Sequence, residues 1–587
     1  MNRELIRTAL GKREADLAVV NGRIVNVYSG EIYPGGVAVC GDRIAAVGDV
    51  AYAVGPHTKV IDANGAYLTP GFIDGHIHPE STSLAIRPFA QIMLQHGVTA
   101  VMTDFHEVGV VAGLKGIEAV LDEAKQTDLK VYFVVPSHVP FSPNLETSGG
   151  LFDPGVIREA LKRPDAVGLS ECVCTYIQSE FTPLLTSMDD TLAAHGTLQG
   201  HLPATNGPAL NACLAAGVTT DHESFEGTDA VDRIRAGCHA MLREGSVARN
   251  LTDCLKKLLE EKIDLQRASI ITDDLHTVDA VERGALDDAV RTALACGADF
   301  VSAIRMVTLN AARAFGLDGE IGGLAPGRRA DVLLTAGPED FRVQKVIAGG
   351  KLVAEDGVFL APYAAATHDP VLLHTMRRKA PVTAEDFRYA IDPAAKAAEV
   401  HVIETLDWIP ITEDRHAVLQ AQNGELLCDP ENDVLYVAQV ERYGKNGNIG
   451  KAFMGGFHLR AGAIASSVGH DNHNIIVLGA NHADMALAVN RVMALDGGQV
   501  AVKDGKVLSE VAYPVLGLLS DLPAEELARQ KRALVASIRG LGCTISMPFM
   551  FLSFLCLAAG GGYAITDHGF IDSAHQCVAD PVLRLIY

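Results

Sequence analysis

Cysteine pairs of the zinc-ribbon kind are absent from this 587-residue sequence. Its 11 cysteines are scattered along the chain and none are spaced as Cys-x-x-Cys, so neither a zinc ribbon nor a disulfide framework is indicated. The N-terminus also lacks the apolar core of a secretion signal, because Lys12 and Arg13 arrive before any long hydrophobic run. We therefore expect a reducing, cytoplasmic location.

Basic residues are too few to balance the acidic ones. The chain has 49 Lys and Arg against 72 Asp and Glu, which gives a net charge of −23. A surface with this charge repels a phosphate backbone instead of releasing its counterions. We therefore predict a protein that does not bind nucleic acid. The 48% hydrophobic and 21% charged fractions are typical of a folded globular chain.

Long hydrophobic runs are almost missing. Residues 540–566 form one uncharged stretch, but Pro548 and the glycines at 560–562 interrupt it. A membrane-spanning helix needs about 20 consecutive apolar residues. We predict a short core helix or two buried strands here, and no membrane association.

Several catalytic signatures are also absent. The sequence has no G-x-x-x-x-G-K-[ST], H-E-x-x-H or G-x-S-x-G motif, which excludes a P-loop, a zincin helix and a nucleophile elbow. His78-Pro-Glu80 matches the first half of the H-x-E and P-C-x-x-C signature of zinc-dependent base deaminases. No Pro-Cys dipeptide supplies the second half, so that class is excluded as well.

A repeated βα pattern occupies the chain from residue 72 to about residue 308. Short β-branched runs alternate there with helix-length amphipathic stretches, as in parallel-sheet proteins. Eight such units in roughly 200 to 250 residues predict a (β/α)8 barrel. The candidate strands end at His76, Asp104, Pro136, Glu171, His201, His222, Arg243 and Asp273.

The segments on both sides of this region read as short β units separated by Gly and Asp-Arg turns. The units Asp16–Val20 and Gly22–Val27 open the chain, and similar units return after Ala325. We predict an α/β protein in which both flanks of the barrel build one small β-sheet domain. The predicted segments are residues 1–70 (small β domain, first part), 71–324 (catalytic barrel), 325–365 (small β domain, second part) and 366–587 (an additional C-terminal α/β domain).

Metal-ligand residue types stand at several of the predicted strand ends. His76 and His78 share one face of a strand because side chains alternate along it. Glu171, His201, His222 and Asp273 follow later strands, and strand ends meet at the C-terminal face of a barrel. Each residue alone is as compatible with an ordinary solvated strand end as with a ligand. Together they favour a metal site.

Longer motifs give these residues a family context. The sequence resembles the amidohydrolase superfamily, and within it the bacterial adenine deaminases, over nearly its whole length. The segments that carry the resemblance include 70–81 (PGFIDGHIHPES), 104–107 (DFHE), 136–140 (PSHVP), 216–223 (AGVTTDHE), 325–331 (APGRRAD) and 467–474 (SVGHDNHN).

The resemblance implies a metal-dependent hydrolase barrel with a divalent metal pair. We expect manganese, with iron or zinc as alternatives, because His and carboxylate ligands suit all three. Asp273 is also expected to move protons during the reaction. The implied ligands are His76 and His78 on one ion, His201 and His222 on the other, Glu171 as the bridge and Asp273 completing the site.

The implied reaction is hydrolytic deamination of adenine to hypoxanthine and ammonia in purine salvage, by a homo-oligomer acting on a small purine. His106 and Glu107 are expected to take part in the reaction. Glu80, His470 and His473 are expected to bind substrate, with capping or buried polar bonding as the structural alternative for the last two.

Two motifs depart from the family pattern. Asp104-Phe-His-Glu stands where the family usually has Asp-Pro-His-Glu, and Glu171-Cys-Val-Cys replaces Glu-Met-Asn. Three alternatives therefore stay open. They are deamination of another 6-substituted aminopurine, cyclic-amide hydrolysis of the hydantoinase or dihydroorotase kind, and a relative with impaired catalysis.

Overall fold

Both flanks of the barrel contribute strands to one nine-stranded sheet. The computed structural model describes residues 2–362, 366–407 and 409–587. Tyr67–Pro70, before the barrel, pairs antiparallel with Val332–Thr335, after it, which confirms the predicted shared sheet. The nine strands are Leu17–Asn26, Glu31–Cys40, Arg43–Gly48, Lys59–Asp62, Tyr67–Pro70, Val332–Thr335, Val343–Ala348, Lys351–Glu355 and Val358–Phe359.

The first two predicted β units are one strand, so the predicted turn between them is wrong. Leu17–Asn26 is continuous, and its register against the neighbouring strand shifts between Val19 and Gly22. Asn21 takes a left-handed φ of 58° at this shift. An irregularity of this kind accommodates the extra residue without ending the strand.

Eight parallel strands form the predicted (β/α)8 barrel. The barrel closes between its first and last strands, because the His78 N–H donates to the Asp273 carbonyl at 3.0 Å and the Asp273 N–H donates to the His76 carbonyl at 3.1 Å. The strands are Phe72–Asp74, Val98–Thr103, Lys130–Pro136, Ala166–Val173, Thr197–His201, Thr220–Asp221, His239–Arg243 and Ala268–Ile271.

Helices follow the barrel strands and cover the outside of the barrel, where their apolar faces join one large buried core. One helix also precedes the first strand of the small sheet, Arg3–Ala9. The helices between residues 80 and 320 are Ile86–Gln95, His106–Ala124, Pro154–Ala160, Cys174–Gln178, Thr182–Ala193, Gly207–Ala215, Gly227–Arg235, Leu251–Glu260, Thr277–Glu282, Leu286–Ala295, Phe300–Met306 and Leu309–Ala314.

Five of the eight barrel strands end one or two residues from the predicted position, the second at Thr103, the sixth at Asp221 and the eighth at Ile271. The first ends at Asp74, and His76 and His78 lie in the segment that closes the barrel. The fourth, Ala166–Val173, continues past Glu171. All of these differences leave the predicted side chains at the carboxyl-terminal rim.

The C-terminal region is built around a ten-stranded mixed sheet and a separate three-stranded sheet. Its helices are His482–Ala494, Ala524–Arg539 and Pro548–Phe554. The strands of the large sheet are Ala397–Leu406, Ile409–Gln422, Glu425–Leu426, Leu435–Val440, Ile449–Gly455, Ala463–Ser466, Ile475–Gly479, Gly498–Lys503, Lys506–Ala512 and Val582–Ile586, and those of the small one are Tyr563–Thr566, Gly569–Asp572 and Cys577–Ala579.

The uncharged segment 540–566 contains the short helix Pro548–Phe554 and the strand Tyr563–Thr566. Within the described ranges, no helix is both long enough and apolar enough to cross a membrane. The segment boundaries at residues 70, 324 and 365 stay predictions. The last of them falls at residues 363–365, which lie outside the described residues.

His368 joins the connector after the small sheet to both larger parts of the chain. Its Nδ1 lies 3.1 Å from Glu123 Oε1 of the barrel, and its Nε2 lies 2.6 Å from Asp521 Oδ2 of the C-terminal region. The hydrogen bonds to Asp521 and Glu123 raise the pKa of His368 to about 9. The charged imidazole therefore links two carboxylates at neutral pH.

We expect His368→Gln to lower the stability of the protein in a pH-dependent way. The folded pKa lies above the unfolded value of about 6.5, so the stabilisation is complete below about pH 6.5 and is lost as pH rises through 9. The expected loss at pH 6.5 is about 1–2 kcal/mol, allowing for screening of the partly exposed Asp521. Thermal unfolding of wild type and variant at pH 6.5 and pH 9.5 measures this difference.

The matched control is His374→Gln, on the same connector, whose imidazole is largely exposed. The difference in thermal stability between wild type and His368→Gln should shrink between pH 6.5 and pH 9.5. A constant difference would contradict the assignment of a positive charge to the His368 imidazole.

Candidate active site

The predicted metal ligands meet at the carboxyl-terminal rim of the barrel. Glu171 lies at the centre, and its Oε1 is 3.7 Å from His76 Nε2, 3.5 Å from His78 Nε2, 3.9 Å from His201 Nδ1 and 3.8 Å from His222 Nε2. The structure therefore brings four imidazoles from three parts of the barrel around one carboxylate. We call these residues, together with Asp273, the donor cluster.

Asp273 faces the side of the donor cluster that carries the first two histidines. Its Oδ1 is 3.5 Å from His76 Nε2 and 3.6 Å from His78 Nε2. Its Oδ2 points the other way and accepts a hydrogen bond from Arg243 at 3.3 Å. The two oxygens of this carboxylate thus have separate surroundings.

A strand irregularity directs Glu171 into the barrel mouth. Leu169 pairs with Leu198, but the next pair is Cys172 with Gly200, so two residues on one strand face one on the other. Glu171 has a left-handed φ of 47° at this point. Such bulges turn a side chain away from the strict alternation of a strand.

Two donor atoms of the cluster have no hydrogen-bond partner within the described residues. His76 Nε2 and His201 Nδ1 are buried and have no hydrogen-bond partner. Three groups of ligand atoms lie within 4.8 Å of one another: His76, His78 and Asp273; His76, Glu171 and His222; and His201, His222 and Glu223. Unsatisfied buried nitrogens beside carboxylates fit a bound cation, because burying a polar group without a partner is costly.

Both carboxylates of the donor cluster are held in the ionised form. Burial raises the pKa of Glu171, but the surrounding imidazoles outweigh it and keep the pKa well below the usual value. Burial likewise raises the pKa of Asp273, and His76, His222 and Arg243 lower it further than burial raises it. Ionised carboxylates are the form that binds divalent cations.

Glu223 and Arg243 belong to the site but are not among the predicted residues. Glu223 Oε1 lies 3.3 Å from His222 Nε2 and 2.7 Å from Arg243 NH1. Burial raises the pKa of Glu223, and the Arg243 guanidinium brings it down to about 2. A sequence signal existed for both, since Glu223 directly follows His222 and Arg243 ends the seventh strand.

Asp104 supports the second histidine from behind. Its Oδ1 lies 3.3 Å from His78 Nδ1, on the ring side opposite the donor cluster, and the carboxylate is buried. A carboxylate in this position fixes the orientation and tautomer of a ligating imidazole. The motif at 104–107 therefore places a supporting residue directly before His106 and Glu107.

Glu107 contacts both histidines of the C-terminal motif. Its Oε1 lies 2.8 Å from His470 Nδ1, and its Oε2 is hydrogen-bonded to His473 Nε2. All three side chains are largely or fully buried. Residues separated by more than 360 positions in the chain thus form one polar group, and the C-terminal region closes over the barrel at this point.

A cavity of about 640 Å³ lies between the barrel and the C-terminal region. Its wall includes Glu80, Glu107, His470, His473 and Lys531. The six predicted metal ligands do not line it. In this wall, burial and the charge on Glu107 raise the pKa of Glu80 to about 7, and the charge on His78 acts in the opposite direction.

Glu80 and His106 keep polar atoms free for a ligand. Glu80 Oε1 accepts the Val108 N–H at 3.2 Å, whereas Oε2 is buried and has no partner among the described residues. His106 begins a barrel helix, and its Nε2 is also buried and unpartnered within the part of the chain that the structure describes.

The Cys-x-Cys pair beside Glu171 is part of the barrel core. Cys172 is fully buried and Cys174 begins the helix Cys174–Gln178. Neither belongs to a group of metal-donor atoms among the described residues. Both cysteines pack in the large hydrophobic core of the barrel.

Comparison with known sequences identifies the family of this site. Residues 67–353 match the amidohydrolase family, and residues 410–577 match the adenine deaminase C-terminal domain. Adenine deaminase from Moorella thermoacetica is 38% identical over 589 residues, which cover 99% of this chain and 98% of that protein. The chain belongs to the adenine deaminase family. Adenine deaminase 4 from Rhizobium meliloti is also 38% identical, over 99% of this chain and 97% of its own length.

A solved structure of an adenine deaminase is 21% identical to this chain. The match covers 58% of this chain and 99% of the chain in that structure, with a TM-score of 0.45. The full-length relatives establish that this adenine deaminase-family chain is a metal-dependent hydrolase. The family's use of divalent metal agrees with the donor cluster, whose residues fit such ions.

Proposed function

We propose that this chain hydrolyses adenine to hypoxanthine and ammonia. The observation that carries the proposal is 38% identity to adenine deaminases over 99% of the chain, including the C-terminal region that reaches the barrel. Contact between Glu107 and the histidines at 470 and 473 supports it, because both halves of the chain then form the cavity wall.

In this proposal the donor cluster holds a divalent metal pair. His76 and His78 would hold one ion, His201 and His222 would hold the other, and Glu171 and Asp273 would complete the ligand set. When bound, the pair lowers the pKa of water enough to supply a nucleophile near neutral pH. Arg243 and Glu223 fix the orientations of Asp273 and His222 from outside the cluster.

Asp273 moves the protons of the reaction. The water oxygen forms a bond to C6 of adenine as the C6–N1 π electrons move onto N1, and Asp273 Oδ1 accepts one water proton. The same carboxyl then donates that proton to the exocyclic amine, the C6–N1 π bond re-forms as the bond to the amine breaks, and ammonia leaves. Transfer of the remaining hydroxyl hydrogen to N1 gives hypoxanthine. Arg243 supports this role because it anchors Oδ2 and leaves Oδ1 toward the two histidines.

Cavity residues, together with His106, which precedes Glu107 in the chain, bind and orient the purine. The free Oε2 of Glu80 and the Nε2 of His106 are available for ring nitrogens or N–H groups. Glu107 is held by His470 and His473, so these three side chains act as one polar unit against the substrate. Closure by the C-terminal region excludes bulk water from the reacting carbon.

We expect the double variant His470→Ala, His473→Ala to fold, to keep its barrel metals and to lose adenine turnover at least about tenfold. The reason is that Glu107 loses both partners that hold its carboxylate. Steady-state kinetics together with metal analysis measure the effect.

The control is His458→Ala, a half-exposed histidine in the same region that contacts Asp433. Unchanged kcat and KM in the double variant would leave His470 and His473 with a structural role only.

A substrate panel separates the remaining alternatives. The metal-loaded protein is tested with adenine, other 6-aminopurines, cytosine and hydantoin, and ammonia release is followed with product analysis. Turnover of adenine supports the proposal, whereas turnover of another 6-aminopurine alone reassigns the substrate. Hydantoin opening favours a cyclic-amide hydrolase, and inactivity of a fully loaded protein favours an impaired relative.

We also propose manganese as the metal, with iron and zinc as alternatives, since the His and carboxylate donors suit each of them. A cytoplasmic homo-oligomer with a role in purine salvage accords with the proposed reaction. Metal analysis of the purified protein tests the identity of the metal, and light scattering tests the oligomeric state.

A further inference from the structure

A second group of metal-ligand side chains lies on the C-terminal sheet, away from the donor cluster. It consists of His401, Asp414 and His416, which we call the hairpin cluster. The strands Ala397–Leu406 and Ile409–Gln422 pair antiparallel here, with His401 opposite His416 and Ile403 opposite Asp414. Directly opposed and diagonal side chains on one face of such a pair come within contact distance.

The three side chains already converge. His401 Nδ1 lies 2.8 Å from Asp414 Oδ1, and His416 Nε2 lies 3.1 Å from Asp414 Oδ2. The two imidazole rings are 5.1 Å apart and nearly perpendicular. Each of the three residues offers one ligand atom, and these three atoms lie within 4.8 Å of one another.

We propose that the hairpin cluster is a second, independent metal site that binds one divalent transition ion of the Zn²⁺ class. Two imidazole nitrogens and one carboxylate oxygen match the donors that Zn²⁺, Ni²⁺ and Cu²⁺ prefer, whereas Mg²⁺ and Ca²⁺ require mainly oxygen. The three ligands leave further coordination positions open to solvent.

The surroundings of the hairpin cluster favour a cation over an ordinary surface ion pair. Among the described residues, Asp414 forms ion pairs with the two histidines and with no lysine or arginine. Its side chain remains 31% exposed, so an ion can reach it. The nearby Arg415 pairs instead with Glu404 on the other face of the sheet.

Aromatic packing limits the motion of the first ligand. The His401 ring stacks on Phe570 at 5.6 Å and lies 5.1 Å from the Tyr563 ring. Both aromatic residues belong to the separate three-stranded sheet. A ligand held in place before binding loses less conformational freedom. The bound ion would therefore tie the hairpin to that sheet through His401.

Zinc titration of the purified holoenzyme tests the proposal. We compare wild type with His401→Gln, His416→Gln, in which both imidazoles are replaced by polar side chains. The control is His458→Ala, His575→Ala, which removes two exposed histidines that each contact one aspartate outside the cluster. Wild type and control are expected to bind one Zn²⁺ more than the hairpin variant, with equal barrel metal in all three.

A second test measures the thermal midpoint of unfolding, which does not depend on enzymatic activity. Zn²⁺ is expected to raise the thermal midpoint of wild type and of the control, but not that of the hairpin variant, because a ligand stabilises the state it binds. Asp414→Asn is expected to weaken Zn²⁺ binding at least about tenfold. Equal Zn²⁺ stoichiometry in wild type and hairpin variant, or equal thermal shifts, would overturn the proposal. The proposed adenine reaction would be unaffected by either result.

Discussion

Replacing Asp273 with asparagine is expected to lower kcat for adenine by about three orders of magnitude while most of the bound metal is retained. The amide has nearly the same size as the carboxylate, but it cannot accept and return a proton at Oδ1. Because Glu171 and four histidines remain, the donor cluster still has most of its ligands. Steady-state kinetics and metal analysis of the same preparation measure the two quantities.

The adjacent residue offers a matched control. Asp274 is hydrogen-bonded to the Ser81 hydroxyl and does not belong to the groups of metal-donor atoms among the described residues. We expect Asp274→Asn to stay within about tenfold of wild-type kcat, since it removes charge without removing the proton carrier. Near-normal kcat in Asp273→Asn would show that another group moves the protons.

Replacing Glu171 with glutamine is expected to lower metal content and activity together. This carboxylate oxygen faces all four imidazoles of the donor cluster, so removing its charge weakens both halves of the site. A loss of about one metal ion per chain, with a parallel fall of kcat by two orders of magnitude or more, is expected because two-metal chemistry needs both ions. Metal analysis after gel filtration and kinetics without added metal provide the test.

Glu180→Gln is the control, because this exposed glutamate follows the same barrel strand without contacting the cluster. Full metal content in Glu171→Gln would contradict a bridging position for Glu171.

The location of most site residues could be predicted because parallel strands end at a common rim. Once eight strand ends were placed, the side chains of His76, His201, His222 and Asp273 had to lie near one another. The chemistry assigned to them depended on resemblance to a family, since single His or Asp residues at strand ends carry little information.

Other features depend on backbone geometry that a pattern of residue types does not encode. Glu171 reaches the centre of the site through a bulge, although the sequence around it reads as a plain strand. Phe105 has a φ of 48°, which a proline ring cannot adopt, so the departure from the family motif accompanies a specific backbone conformation.

Contacts between distant segments also could not be predicted from the sequence. The histidines at 470 and 473 could be recognised as a motif, but their shared partner, Glu107, could be found only from the fold. The same holds for Arg243, whose guanidinium joins Glu223 to Asp273 across two strands.

The most direct test of the account follows the oxygen atom. Adenine is incubated with the metal-loaded protein in water enriched in ¹⁸O, and the products are analysed by mass spectrometry together with an ammonia assay. The account predicts hypoxanthine carrying one ¹⁸O and one ammonia released per adenine consumed. Unchanged adenine with a fully loaded protein, or a product formed without ammonia, would contradict it.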